Sequence, residues 1–251
     1  MSVHTFASMG TVVSVRMPDQ LDGDVVRAAV AAVEHEFAVR DERFSLYRED
    51  SEASRIARGE MPLTGSSQTM RDAYSEALVW RDATGGAFTP HRPDGVLDLS
   101  GTIKADALRA AGAALRAAGG EVFSVNAGGD LLTAGVPEAG AWITGIAHPL
   151  EAGGVLSVVS LTPGLSCLAT SGIAERGEHI WRRPETNGSF IQATVCAEDI
   201  ITADVLATAI IAGGTETLSL VTSRDDVAVL VVRADGSLLG NAEFQNLVTA
   251  A

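Results

Sequence analysis

Between residues 121 and 197 the strand-like segments follow one another with no helix between them. "EVFSVNAGGDLLTAG", "AWITGIAHP", "GVLSVVSL", "LSCLATSG" and "SFIQATVCA" are short, rich in β-branched residues and bounded by Gly, Pro or polar clusters. A doubly wound parallel sheet needs strands and helices in regular alternation, because parallel neighbours require a long crossover. This chain lacks that alternation. The expected fold is therefore α+β, a single compact domain over residues 1–251, in one or two lobes, with mixed and antiparallel sheets and flanking helices.

Helical segments lie before and after this run. Leu21, Val25, Ala28, Ala32, Val33 and Phe37 recur at helical spacing and predict an amphipathic helix. Residues 68–83 predict another, with Met70, Ala73, Ala77 and Trp80 on one face. Residues 103–118 are Ala-rich, and Gly119-Gly120 supply a helix stop. Residues 202–213 and "ETLSLVTS" also read as helix, and "VAVLVVRADG" with "SLLGN" as a hairpin turning at 234–236. Near the start, "TFASMGTVVSVRM" reads as a strand bent at Gly10, and "FSLYREDSEASRI" as a polar loop. "TGGAFTPHRPDGVLDLSG" reads as loop with a short strand near 96–99.

Hydrophobic residues make up 46% of the chain and charged residues 20%, an ordinary globular balance. The net charge of −14 repels phosphate backbones and argues against a general nucleic-acid binder. A nucleotide in one local pocket, screened by a divalent cation, stays possible. Cys167 and Cys196 stand in apolar surroundings and read as buried thiols, since two Cys make no disulfide framework. The first residues, "MSVHTFASMGTVVSV", lack a basic n-region and a long apolar stretch. No apolar run reaches membrane-spanning length. A cytoplasmic location is the expectation, or an extracytoplasmic one if a leader precedes the sequence.

Five places could carry chemistry. In "TADVLATAI" an acid and a hydroxyl, Asp204 and Thr208, share one stripe of an oily helix at i,i+4 spacing. With Thr202 as N-cap, Asp204 falls in the first turn. Such hard oxygens suit Mg²⁺; the plainer reading is an acid complementing the helix dipole beside an ordinary Thr. In "DLSGTIK", Asp98, Gly101 and Lys104 surround a helix start that could face an anion or simply be exposed. "VNAGGDLL" offers glycines for close backbone approach, or a plain turn. His179 in "ATSGIAERGEHIW" is a candidate general base or a structural histidine. In "FSLYREDSEASR", Tyr47 could stack on a heterocycle and Glu52 supply an acid, or both could belong to a solvated loop. GxxxxGK[ST], GxGxxG and GxSxG are all absent, which argues against a P-loop, a Rossmann site and a hydrolase elbow.

"SMGT", "FSLYREDSEASR", "TGGAF", "DLSGTIK", "NAGGD", "ATSG…RGEHI" and "ADVLATA", in that order, resemble the ApbE-like family of FAD:protein FMN transferases from about Ala7 to Gly214. The resemblance implies an α+β enzyme that binds FAD with Mg²⁺ and splits its pyrophosphate. It then joins FMN to a Ser or Thr of an acceptor protein and releases AMP. Alternatives within it are an FAD pyrophosphatase giving FMN and AMP, and an FAD-binding protein with little catalysis. By the same resemblance Met9, Tyr47, Ala87, Phe88, Thr89, Asp98, Lys104 and Ile180 are flavin-nucleotide contacts. Gly101 (through its backbone oxygen), Asp204 and Thr208 are metal ligands, and His179 is the base. Three positions depart from the family pattern: Thr89 stands where a carboxylate is usual, "KADA" lacks the Gly and aromatic that follow the Lys, and Arg182 replaces an acid near His179.

Overall fold

The computed structural model describes residues 1–172 and 190–249. The fold is α+β, and the chain divides into two compact units, Met1–Gly128 and Gly129–Ala251.

The first unit opens with a hairpin of β1 (Ser2–Ser8) and β2 (Thr11–Met17), in register from Ser2↔Met17 to Ser8↔Thr11. Met9 (φ 50°) and Gly10 (φ 70°) close it. Two central residues in the left-handed region give the turn whose twist matches antiparallel strands, so the segment expected as one bent strand reverses instead. β2 pairs antiparallel with β3 (Phe123–Ala127). Val13, Val15 and Met17 face the same side as Phe123, Val125 and Ala127, and all six are buried. Against this side pack α1 (Gly23–Phe44) and α4 (Ser100–Ala117), which also pack on each other. Asp22 caps α1, accepting from Asp24 N at 2.8 Å. Half-buried Arg40 ties α1 to α4 by donating to Glu36 (2.7 Å) and Asp106 (2.6 Å). Between these helices lie α2 (Glu52–Ala57) and α3 (Gln68–Ala83); α2 was expected as loop.

In the second unit, β4 (Asp130–Ala134), β7 (Cys167–Gly172), β8 (Phe190–Ala197), β9 (Ala228–Arg233) and β10 (Leu238–Gly240) are hydrogen-bonded neighbours in that order, all antiparallel. A separate pair, β5 (Trp142–Ala147) and β6 (Val155–Leu161), packs on one face with α6 (Ala242–Leu247). Leu131, Leu168, Cys196, Ala228 and Leu230 meet Ile146, Val159, Leu161, Phe244 and Leu247 there. The opposite face is covered by α5 (Ile200–Thr222), which lies on β7 and β8. Both faces of β8 are thus covered, and every residue of it is buried. Among the described residues α5 alone is long and apolar enough to cross a membrane, by length and composition only. Its burial against the sheet makes it the core helix of this unit.

Two predictions arise from this packing. Gly214 interrupts α5 at φ 63°, ψ −144°, a conformation open essentially to glycine. Gly214→Ala is expected to cost about 1–3 kcal/mol, lowering the apparent Tm by roughly 2–4 °C per kcal/mol; an unchanged melting curve would contradict this. The second concerns the thiols. Register pairs Cys167 with Ala197 and Leu168 with Cys196, so the two Cys side chains point to opposite faces. Burial, and then the neighbouring Cys167, pushes the Cys196 thiol up to about 12, leaving almost no reactive thiolate near neutral pH. Native protein should resist iodoacetamide at pH 8 and take two labels once denatured. Rapid native labelling would overturn the assignment.

Candidate functional site

In the first unit, residues 87–104 form a tight loop running into α4. Asp98 N donates to Pro90 O (2.8 Å), Arg92 N to Val96 O (2.9 Å), and His91 bridges Leu97 antiparallel. This bridge is the short strand expected near 96–99. It brings "GAFTP" and "DLSGTIK", distinct in sequence, side by side. Ala87 and Phe88 are buried, and Phe88 N donates to Thr84 Oγ1 at 3.1 Å. The Phe88 ring lies so close to Gly101 that a Cβ there would sit 2.9 Å from Cε2. Glycine at this position therefore permits close approach of the aromatic to the helix start. Half-buried Thr89 accepts from His91 N at 3.2 Å. Asp98 Oδ1 accepts from Ser100 N at 2.9 Å, while the N-cap residue, Leu99, makes no side-chain cap. Ser100 begins the helix, so Lys104 stands one turn inside it rather than in its first turn. It is the only lysine in the chain.

Tyr47 and Met9 are held by local structure. The segment expected as a solvated loop is built around Ser45, whose carbonyl accepts from Ser51 Oγ (2.6 Å) and Ser54 Oγ (3.3 Å). Ser51 also caps α2, and Arg58 donates to Glu49 O at 2.9 Å. On this scaffold Tyr47 is 100% exposed, an aromatic ring held out to solvent. Glu52, by contrast, is occupied structurally, accepting from Ser67 N (3.1 Å) and Oγ (2.9 Å). Met9 is the only non-glycine at positive φ among the described residues. A side chain held there is backbone strain of the kind that gathers at functional sites.

In the second unit, Asp199 rather than Thr202 caps α5, accepting from Thr202 N (2.9 Å) and Oγ1 (3.2 Å). The better acceptor wins the cap, and the helix starts three residues earlier than the Thr202 cap predicts. Asp204 is consequently the fifth residue of α5, beyond the first turn where it would complement the dipole. It is only 5% exposed, among Ala203, Val205, Leu206 and Ala207, all buried. A carboxylate removed from water this way needs a counter-charge or hydrogen bonds. One turn on, Thr208 Oγ1 lies 3.0 Å from Ser171 Oγ on β7. Asp130, on the same sheet face as Ser171, is fully buried and accepts from Thr170 N at 3.2 Å. The α5 side of this sheet thus collects four oxygen-bearing side chains in an apolar layer. Neither Asp130 nor Ser171 is singled out as a ligand by sequence reasoning; the acid of "NAGGD" and the hydroxyl of "ATSG" were their only signals. His179, Ile180 and Arg182 lie outside the described residues.

A protein-family model, that of the ApbE family, matches residues 9–92 and 89–231. The chain belongs to the ApbE family. Every position from Met9 to Thr208 nominated above falls inside the matched segments. Solved ApbE structures share the fold. The ApbE protein of Thermotoga maritima superposes with a TM-score of 0.81 at 20% identity, over 99% of either chain. The flavin transferase ApbE of Vibrio cholerae gives 0.77 at 20% identity over 98% of each. The flavinyl transferase ApbE of Pseudomonas stutzeri, in its apo form, gives 0.78 at 19% identity over 99% of this chain and 98% of that one. No curated protein matches the sequence. Expectation and comparison therefore agree on family and on α+β fold.

Proposed function

We propose that this ApbE-family chain is an Mg²⁺-dependent FAD:protein FMN transferase. It would split the FAD pyrophosphate, attach FMN to a Thr or Ser hydroxyl of an acceptor protein and release AMP. The observation that carries this reading is the buried Asp204, one helical turn before Thr208 and outside the first turn of α5. A carboxylate and a hydroxyl are hard oxygen donors, and Mg²⁺ takes one or two carboxylates, completing its shell with waters and substrate phosphates. The donor chemistry therefore fits the ion. The solved relatives named flavin transferase and flavinyl transferase lend support to the flavin substrate.

Asp204 and Thr208 would hold the cation. Bound there, Mg²⁺ supplies Lewis-acid polarisation of the phosphate under attack and offsets charge on departing AMP. Tyr47 offers its exposed face for stacking on a flat ring system. Lys104 adds positive charge towards phosphate near the start of α4. In the reaction the acceptor hydroxyl oxygen bonds to the FMN phosphorus and the bridging P–O bond to AMP breaks. His179 takes the hydroxyl proton.

Product analysis tests this. The chain is incubated with FAD, Mg²⁺ and a Ser/Thr-containing acceptor protein. AMP together with flavin-labelled acceptor is expected. Free FMN with AMP would make the chain a pyrophosphatase, and intact bound FAD a carrier; either result overturns the transferase reading.

A further inference from the structure

The bond between Ser171 and Thr208 is an unusual arrangement for a hydroxyl on a helix. Ser and Thr in helices ordinarily bond back to the carbonyl four residues earlier. That is where Ser75 (to Arg71 O, 2.9 Å), Ser219 (to Thr215 O, 3.0 Å) and Thr222 (to Leu218 O, 2.8 Å) send theirs. Thr208 instead reaches across to the neighbouring strand, where Ser171 Oγ lies 3.0 Å from its Oγ1. Ser171 is 9% exposed and fixed by the β7–β8 ladder opposite Ala193, and its same-face neighbours on β7 are Ala169 and Cys167.

On the reading that Asp204 and Thr208 hold a divalent cation, we infer that Ser171 is a positioning residue for that site, setting the orientation of the Thr208 hydroxyl. A hydroxyl that gives a lone pair to a cation must place its proton elsewhere. Ser171 Oγ stands at bonding distance to accept it. Threonine in a helix divides between two χ1 rotamers because its hydroxyl can turn back onto the i−3 or i−4 carbonyl. A fixed acceptor on β7 selects the rotamer that turns away from the Asp204 carbonyl. The hydroxyl is thereby held off the helix's own carbonyl, with a lone pair left for a cation. Partners behind metal ligands typically change metal affinity by about 10- to 100-fold when removed.

The test is Mg²⁺ titration of the FAD-bound full chain by calorimetry, with Mn²⁺ as a spectroscopic substitute, comparing wild type with Ser171→Ala and Ser171→Thr. FAD binding in EDTA and the apparent Tm are read alongside. Ser171→Ala is expected to weaken the divalent ion about 10- to 100-fold while FAD binding in EDTA stays at the wild-type value. Ser171→Thr, which keeps the hydroxyl, is expected to restore affinity to within a few-fold. On a Thr208→Val background, Ser171→Ala should have no further effect on the ion. A lower Tm with an unchanged ion affinity would make the bond a plain strand–helix tether and overturn the inference. If Ser171→Ala cannot be purified folded, the Ser171→Thr and Thr208→Val measurements decide: equal ion affinity in Thr208→Val and wild type overturns it. Absence of any divalent binding by wild type would instead defeat the cation reading itself, and this inference with it.

Discussion

Asp204→Ala is expected to abolish Mg²⁺-dependent turnover of FAD while leaving the chain folded. The carboxylate is the only formally charged group in the proposed ligand set, so its removal takes away the main attraction for the ion. Lewis-acid stabilisation of a transferring phosphoryl group is worth several kcal/mol. That corresponds to a loss of about a hundred- to a thousandfold in rate. Raising Mg²⁺ should recover part of the loss in Asp204→Asn, which retains one oxygen, and none in Asp204→Ala. Initial rates of AMP release over a Mg²⁺ series, with near-ultraviolet circular dichroism as the folding control, make the comparison. Full activity in Asp204→Ala would remove the metal assignment.

Gly101→Ala is expected to disturb the proposed flavin contacts around Phe88 in the first unit. A Cβ at residue 101 would lie 2.9 Å from Phe88 Cε2, closer than carbon atoms approach. Phe88 is buried and its backbone is tied to Thr84, so the ring or the start of α4 must move. A displacement of about 1 Å in groups that position a substrate can cost about a hundredfold in rate. Steady-state kinetics should show kcat/KM for FAD falling by roughly 10- to 100-fold. The smaller ring partner in a Gly101→Ala/Phe88→Leu double variant should give part of it back. Wild-type kinetics in Gly101→Ala would mean that this contact does not shape the site.

Much of the architecture is legible in the sequence because its signals are local. The helix over 68–83 is found at those residues, since Ser67 is a good cap and Met70 and Ala77 keep the 3.6-residue period. The strands between 121 and 197 are likewise where their β-branched runs place them. What failed locally was competition between rival turn and cap residues. Asp199 displaced Thr202 as cap because a carboxylate three residues before an amide is the stronger acceptor. Met9 hid the hairpin because a methionine at positive φ carries no sequence signal. The short α2 was hidden by polar composition, although Ser51 and Glu52 were its start signals.

Site residues were legible to a different degree. In Asp204 and Thr208 two oxygens contrast with an oily helix, but spacing alone left the plainer dipole reading ahead and the metal nomination came from the family resemblance; the structure adds that Asp204 is 5% exposed. Ser171 and Asp130 went unassigned because their placement beside α5 depends on which sheet face meets that helix. A one-residue change of register would have turned both away. No spacing rule within "ATSG" or "NAGGD" contains that information. The meeting of Phe88 with Gly101 is likewise tertiary, created by the bridge between His91 and Leu97.

The proposed function requires this chain to grip a flavin diphosphate through a divalent ion held by Asp204 and Thr208. Calorimetric titration of the full chain with FAD, in Mg²⁺ buffer and again in EDTA, tests it most directly. Saturable one-site binding is expected with Mg²⁺, and affinity at least about tenfold weaker in EDTA, a difference of about 1.4 kcal/mol. The Asp204→Ala chain should show the weaker value in both buffers. Binding of equal strength with and without the ion, or no heat of FAD binding in Mg²⁺ buffer, would contradict it.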